Sequence, residues 1–146
     1  MKTKTFSFIV IFIVLIDQIL KSIFSFFRPT FKLSFFSLHY TTNTGAAFSI
    51  FRNQNLLLMF FGFIVLGYLF YKINDILKSE YILEFSFLFG GIIGNLIDRL
   101  VYGFVIDFID IGLWPIFNIA DSFIVLGVIL IIIKEFKVIY RHKRKP

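Results

Sequence analysis

Between Gly90 and Ser122 the sequence reads GGIIGNLIDRLVYGFVIDFIDIGLWPIFNIADS. This stretch carries four of the six Asp residues of the chain, five of its nine Gly, and Asn95, Arg99 and Asn118. Asp107 lies among apolar neighbours in GFVIDF. Apolar surroundings raise a carboxyl pKa toward the range where it can exchange protons at neutral pH. Asp121 follows Asn118 by three residues in FNIADS. Asn118 is a natural helix N-cap and a carboxylate in the first turn suits the helix dipole, so a capping role also accounts for Asp121. If the segments before and after the intervening turn are antiparallel, Asp107 and Asp121 come to one level and can face each other. Two adjacent carboxylates share a proton. One is then a base toward a water and the other an acid toward a carbonyl or leaving amine. That is aspartic-peptidase chemistry, and it requires no metal and no covalent intermediate. Asp110 competes with Asp107 on spacing alone.

The elements that must hold these groups are apolar. The chain has 146 residues, is 58% hydrophobic and has a mean hydropathy of +0.88. A soluble domain is about 45–50% apolar, so this chain carries more apolar surface than a soluble fold of its size hides. Four apolar runs stand out, and a bilayer crossing needs about 20 such residues. The expected spans are approximately 6–27, 55–73, 81–102 and 118–138, within a single domain covering 1–146. Lys2 and Lys4 precede the first, Lys72 and Lys78 separate the second from the third, and Lys134, Lys137, Arg141, Lys143, Arg144 and Lys145 accompany or follow the fourth. The opposite side has Arg28, Lys32 and Arg52, with Arg99 near the end of the third span. The positive-inside bias puts both termini in the cytoplasm. The net charge of +6 thus reads as membrane topology, with the basic tail as a lipid-facing anchor and no nucleic-acid role. Asp17 and Lys21 interrupt the first run, which is too long for a signal-peptide h-region, so a retained span is expected. The loop 28–54 contains FKLSFFSLHY, a strand-like segment, then TTNTGAA, where Asn43 and Gly45 suit positive φ. The expectation is an all-α membrane protein of four transmembrane helices with a small extracytoplasmic β element.

Other polar residues lie at depth. Asp17 and Lys21 are four apart on one helix face, with Asp17 about 16 Å along the helix from Phe6. An Asp or Lys there costs about 2.5–3.5 kcal/mol on insertion scales. A structural ion pair explains them, and so does a place beside an active site. In the third span, Gly90 and Gly94 form a small-xxx-small pair that admits a neighbouring helix. Gly91, Asn95 and Asp98 share a face, and Asn95 and Arg99 serve either as interhelical glue or as substrate contacts. Asp98 and Arg99 are also candidates for an ion pair with each other. Cysteine is absent, which removes disulfides and thiolate chemistry. The two histidines, His39 and His142, are not in a HExxH setting, and no GxSxG, P-loop or dinucleotide fingerprint occurs. A Ser–Lys dyad of Lys21 with Ser22 or Ser25 fails on geometry, because these lie too close along one helix.

Taken together, Asp17-Gln18 with Lys21, NTGAAF at 43–48, GNLIDR at 94–99, GFVIDF at 103–108 and FNIAD at 117–121 resemble the lipoprotein signal peptidases, the bacterial type II signal peptidase family. Each motif alone is weak; five in this order over nearly the whole chain are specific. The resemblance implies an aspartyl endopeptidase of the bacterial inner membrane with Asp107 and Asp121 as its catalytic pair. It implies supporting roles for Asp17, Lys21, Asn43, Asn95, Arg99 and Asn118, and a shaping role for Gly45 in the outer β-cradle loop. The implied substrate is a prolipoprotein whose Cys already carries diacylglycerol, cut just before that Cys. Globomycin is the implied inhibitor, and no metal or cofactor is implied. A monomer among membrane lipids is expected. The competing reading is a small proton-coupled carrier that uses Asp17, Asp107 and Asp121 as relay groups; a membrane assembly partner with structural ion pairs is the third.

Overall fold

The computed structural model describes residues 2–45, 51 and 53–143. Ala46, Ala47 and Phe48 of the NTGAAF motif, Arg52, and Arg144 and Lys145 of the basic tail lie outside the described residues. In chain order the elements are α1 (Lys2–Phe27), β1 (Phe31–Leu33), β2 (Phe36–Asn43), α2 (Asn55–Tyr71), α3 (Ile73–Lys78), α4 (Ile82–Tyr102), β3 (Val105–Asp110) and α5 (Ile119–Lys143). The fold is mostly helical, with one small antiparallel sheet in the order β1-β2-β3.

Helix α4 is the centre of the bundle and packs against α1, α2 and α5. Its glycines make that possible. A Cβ on Gly90 would stand 2.8 Å from Ile13 of α1, and one on Gly94 would stand 2.7 Å from the Asp17 carboxylate and 3.2 Å from Ala120 of α5. The small-xxx-small pair therefore admits a carboxylate as well as a helix. The buried side chains of α1 are Phe6, Ile13, Asp17, Lys21 and Phe24. Their spacings of seven, four, four and three keep them on one stripe. The outward face of α1 carries exposed Phe8, Phe12, Leu15, Ile19, Ile23 and Phe26. Charged groups inside and apolar groups outside invert the soluble pattern, as a hydrocarbon solvent demands. Two helices, α1 and α4, are long and apolar enough to cross a membrane, and α2 is a shorter apolar helix. At the end of the bundle away from the sheet, Phe6, Leu69, Ile76 and Phe89 form an apolar core, with the Phe6 and Phe89 rings edge-to-face at 5.2 Å.

The sheet closes the other end. Strands β1 and β2 arise from the strand-like FKLSFFSLHY. Strand β3 has no counterpart in the sequence expectation, which left GFVIDF beyond the outer end of the third span without a strand. Gly103, at φ 80°, ends α4 in the left-handed region, and its N–H returns to the Arg99 carbonyl at 3.1 Å. The chain then runs back antiparallel to β2, with Thr41 opposite Asp107, Asn43 opposite Val105, and an irregularity between Leu38 and Thr41. Phe117 bridges to β3, its N–H donating to the Ile109 carbonyl at 3.0 Å and its carbonyl accepting from Ile109 at 2.8 Å. That bridge lays the start of FNIAD against the strand that carries Asp107.

Candidate active site

Side chains in a strand alternate faces, so Asn43 shares a face with Thr41, the residue opposite Asp107. The diagonal reach is short enough for Asn43 Nδ2 to donate to Asp107 Oδ2 at 2.9 Å. Asn43 Oδ1 meanwhile accepts from the Gly45 N–H at 2.9 Å, closing an Asx turn. The side-chain bond holds the turn of TTNTG next to Asp107.

Asn118 caps α5 and does more than cap it. The Asp121 N–H donates to Asn118 Oδ1 at 2.9 Å, and the Asn118 N–H donates to Asp121 Oδ2 at 3.3 Å. This reciprocal pair is a capping box with Asp in the third position. The Asn118 amide nitrogen points the other way. It donates to Asp107 Oδ1 at 2.7 Å, to Asn95 Oδ1 at 3.0 Å and to the Ile106 carbonyl at 3.2 Å. One asparagine thus touches both carboxylates. Asn95 completes the link, donating from Nδ2 to Asp121 Oδ1 at 2.7 Å. Asp107 is 1% exposed, and burial foremost, then the charge of Asp121, pushes its carboxyl up to about 7, while the bonds from Asn43 and Asn118 pull the other way. At neutral pH it is poised between its acid and its base.

Behind this pair lies a wholly buried charge cluster. The Lys21 ammonium contacts Asp17 Oδ2 at 2.8 Å and Asp98 Oδ2 at 3.0 Å, and donates to Asn95 Oδ1 at 3.1 Å. All three of its N–H donors are used. Asp17 also accepts from the Ala120 N–H at 2.9 Å, satisfying an otherwise orphaned donor in the first turn of α5. Asp98 and Arg99, adjacent candidates for an ion pair, take separate partners. Adjacent residues point about 100° apart on a helix, and Asp98 turns inward to Lys21 while Arg99 donates to the carbonyls of Gly45 at 3.2 Å and Asn95 at 3.4 Å. Gln18 reaches Asp98 Oδ1 at 2.9 Å and the Gly94 carbonyl at 3.1 Å.

A cleft of about 220 Å³ opens beside the pair. Its lining combines the polar Asn43, Asn95, Arg99 and Asp121 and the backbone of Gly45 with the apolar Trp114, Pro115, Phe117, Ile124 and Val125. Asp121 reaches the cleft wall and Asp107 sits behind it. The structure brings Asp17, Lys21, Asn43, Gly45, Asn95, Arg99, Asp107, Asn118 and Asp121 into one connected region. Asp110 is elsewhere, accepting from Ser37 Oγ at 3.3 Å and from the Gly112 N–H at 2.8 Å to close the turn after β3. His39 contacts the same Ser37 hydroxyl at 3.2 Å. The contacts of Asp98 were not legible from sequence, since its partners lie 77 to 80 positions away on α1 and eight positions on in β3.

A helical protein with an apolar exterior that keeps two asparagine-linked carboxylates beside a cleft belongs, by chemistry, with the membrane-embedded acid–base hydrolases. Residues 9–137 match the signal peptidase (SPase) II family. The lipoprotein signal peptidase of Thermodesulfovibrio yellowstonii is 40% identical over 134 residues, covering 86% of this chain and 90% of that protein. That of Caldicellulosiruptor bescii is 42% identical over 113 residues, 75% of each. A solved structure described as a bacterial membrane enzyme superposes with a TM-score of 0.88 at 35% identity, covering 98% of this chain and 94% of that one. A second with the same description gives 0.81 at 36% identity, covering 92% and 94%. The chain belongs to the signal peptidase II family, the aspartic peptidases that remove signal peptides from prolipoproteins. The carrier reading finds no support among these matches.

Proposed function

We propose that this peptidase cuts diacylglyceryl-modified prolipoproteins just before the lipidated Cys, with Asp107 and Asp121 as its catalytic pair. The observation that carries this reading is the double engagement of Asn118 by both carboxylates, one buried at a pKa of about 7 and the other on the cleft wall. Asp107 holds the shared proton at rest. Asp121 takes a proton from water as the water oxygen bonds to the scissile carbonyl carbon, and Asp107 gives its proton to the carbonyl oxygen. The tetrahedral diol then collapses. Asp121 gives its proton to the Cys nitrogen while Asp107 takes one back from a diol hydroxyl; the C–N bond breaks, the signal peptide leaves as a carboxylic acid, and the pair returns to its resting state. Asn43, Asn95 and Asn118 hold the two carboxylates in register, Asp17 and Lys21 support them from α1, and Arg99 with Gly45 shapes the cleft rim.

The whole chain 1–146 acts as one integral-membrane domain. Helices α1, α2, α4 and α5 make four crossings, over approximately 6–27, 55–73, 81–102 and 118–138, with 28–54 as an outer loop. The lysines at the ends of the apolar runs favour cytoplasmic termini, and the sheet and cleft then face the extracytoplasmic side of the inner membrane. The apolar lining of the cleft suits a lipid-carrying substrate arriving sideways from the bilayer, and it would also receive globomycin. The enzyme works as a monomer among lipids.

The test uses purified protein in detergent and a diacylglyceryl-modified prolipoprotein. Wild type and Asp110→Asn are expected to cleave before the Cys, while Asp107→Asn and Asp121→Asn remain folded and inert. Activity retained in Asp107→Asn and lost in Asp110→Asn would move the site to the far end of β3.

A further inference from the structure

Helices α2 and α5 both pack on α4, and among the described residues they make no extensive contact with each other. Helix α2 is seated by Gly62 against Leu96 and by Asn55, whose Nδ2 donates to the Arg99 carbonyl at 3.2 Å. Helix α5 is seated by Gly127 against Leu88 and by Ala120 and Ile124 against Gly91. The face of α4 left between them carries Leu88, Ile92, Asn95 and Arg99, spaced four, three and four. Leu88 and Ile92 are half-buried, and Asn95 and Arg99 line the cleft. A groove thus runs from the cleft down the bundle. Along α5 a stripe repeats at four, three, four and three: Asp121, Val125, Val128, Ile132 and Glu135. Asp121 and Val125 line the cleft together with Asn95 and Arg99, so this stripe is the α5 wall of the groove. Val125, Val128 and Ile132 are 51%, 43% and 47% exposed.

The stripe has a carboxylate at each end. Asp121 belongs to the proposed catalytic pair. Glu135 is exposed, and its Oε1 accepts from the Tyr81 hydroxyl at 2.8 Å. The cations nearest to it in sequence point elsewhere. Lys134 is turned to Glu84 and the Glu80 carbonyl, and Lys137 lies about 160° around the helix from Glu135. From Asp121 to Glu135 is about 21 Å at 1.5 Å per residue. A signal peptide has the complementary layout. Its apolar h-region of about 7–15 residues, about 10–22 Å as a helix, joins a positively charged n-region to the cleavage site. We infer that the groove between α2 and α5 docks the signal-peptide helix, with Val128 and Ile132 against the h-region and Glu135 meeting the basic n-region. In hydrocarbon an apolar helix gains little from hydrophobicity, so side-chain packing along the stripe and the charge at its end supply the preference. The docking rests on the assignment of Asp107 and Asp121 as the cleaving pair.

The test measures kcat and KM in detergent with two diacylglyceryl-modified prolipoproteins, one with lysines in its n-region and one with glutamates in their place. Glu135→Lys is expected to raise KM for the lysine substrate about 3- to 10-fold and to lower it for the glutamate substrate by a similar factor. Its kcat stays within about twofold of wild type on both, because Glu135 touches no reacting group. Val128→Phe puts a ring into the groove and is expected to raise KM for both substrates at least about fivefold. Leu126→Phe adds the same ring on another side of α5, at a position 46% exposed, and keeps the wild-type KM. The charge swap carries the test alone if Val128→Phe fails to fold, since the two substrates are compared on one enzyme. Wild-type KM values in Glu135→Lys, or equal effects of Val128→Phe and Leu126→Phe, overturn the docking while leaving the catalytic pair standing. Activity in Asp107→Asn would instead remove the pair itself, and with it the premise.

Discussion

Helix α4 carries two buried acidic side chains that pair with lysine, at opposite ends, and they are built differently. Asp98, at the sheet end, shares Lys21 with Asp17 and has donors on both oxygens from α1 and β3. Glu84, at the other end, meets Lys134 of α5 at 2.5 Å through Oε1, while Oε2 is buried without a partner. Lys134 is itself 39% exposed at the side chain, and it also donates to the Glu80 carbonyl at 2.7 Å. A buried ion pair is worthwhile only when further hydrogen bonds offset the desolvation of both charges. The sheet-end cluster meets that condition and is joined through Asn95 to the proposed catalytic pair. The far pair leaves Glu84 Oε2 without a partner and ties α5 to the start of α4.

The contrast can be broken most forcefully at Lys21. Lys21→Met leaves Asp17 and Asp98 buried without their cation, a loss of about 3–5 kcal/mol by analogy with other broken buried pairs. Activity should fall at least about 100-fold, measured as cleavage per folded molecule. Survival of full activity would show that the cluster is only structural.

Lys134→Met should cost less, about 1–3 kcal/mol, since Lys134 itself is already 39% exposed and its attraction to Glu84 is partly screened by water. Cleavage should stay within about twofold of wild type. The sharper form is the double variant Glu84→Leu with Lys134→Leu, which should recover most of the lost thermal stability, because two apolar groups leave nothing unpaired. The same replacement of Lys21, Asp17 and Asp98 should not recover it, since the Ala120 and Ile106 N–H groups would lose their acceptors.

Asp107 has an opposite stability signature from a carboxylate that is stabilised by its partner. Its folded pKa of about 7 lies above the ordinary 3.8, so between these values the folded state holds a proton that the unfolded state has lost. Stability therefore declines as pH rises from about 4 to 7, by at most about 4 kcal/mol from this group. Unfolding in detergent at pH 5 and pH 8 should show the decline in wild type and a flatter dependence in Asp107→Asn. The smallest expected effect is at Asn43. Its hydrogen bond lowers the Asp107 pKa, so Asn43→Ala should move the limb governed by Asp107 to higher pH, by less than about one unit.

Much of this was legible because a membrane protein cannot hide its costs. Asp17, Lys21, Asn95 and Asp121 stand out from apolar runs by type alone, and Asn118 before Asp121 follows a capping pattern that local chemistry dictates. Strand β3 was not legible. VIDFID is short, and its Asp residues at 107 and 110 break the alternation of a half-buried strand, so periodicity gives no strand signal there. The partners of Asp98 were not legible for a related reason. Helix geometry argues against a pair with its neighbour Arg99, but only the packing of α1 and β3 supplies Lys21, Gln18 and the Ile106 N–H. Asn118 shows the limit from the other side. Its cap was foreseeable, but the reach of its amide to Asp107 depends on the Phe117 bridge to Ile109, a contact that no local pattern encodes.

The claim beneath all of this is that Asp107 and Asp121 act as one unit. Single-turnover cleavage of a diacylglyceryl-modified prolipoprotein by Asp107→Asn, Asp121→Asn and the double variant tests it directly. Each single change should cost at least about 1,000-fold, and the double should cost no more than either, as for groups that fail together. Losses that multiply in the double variant, or measurable turnover in either single one, would contradict the account.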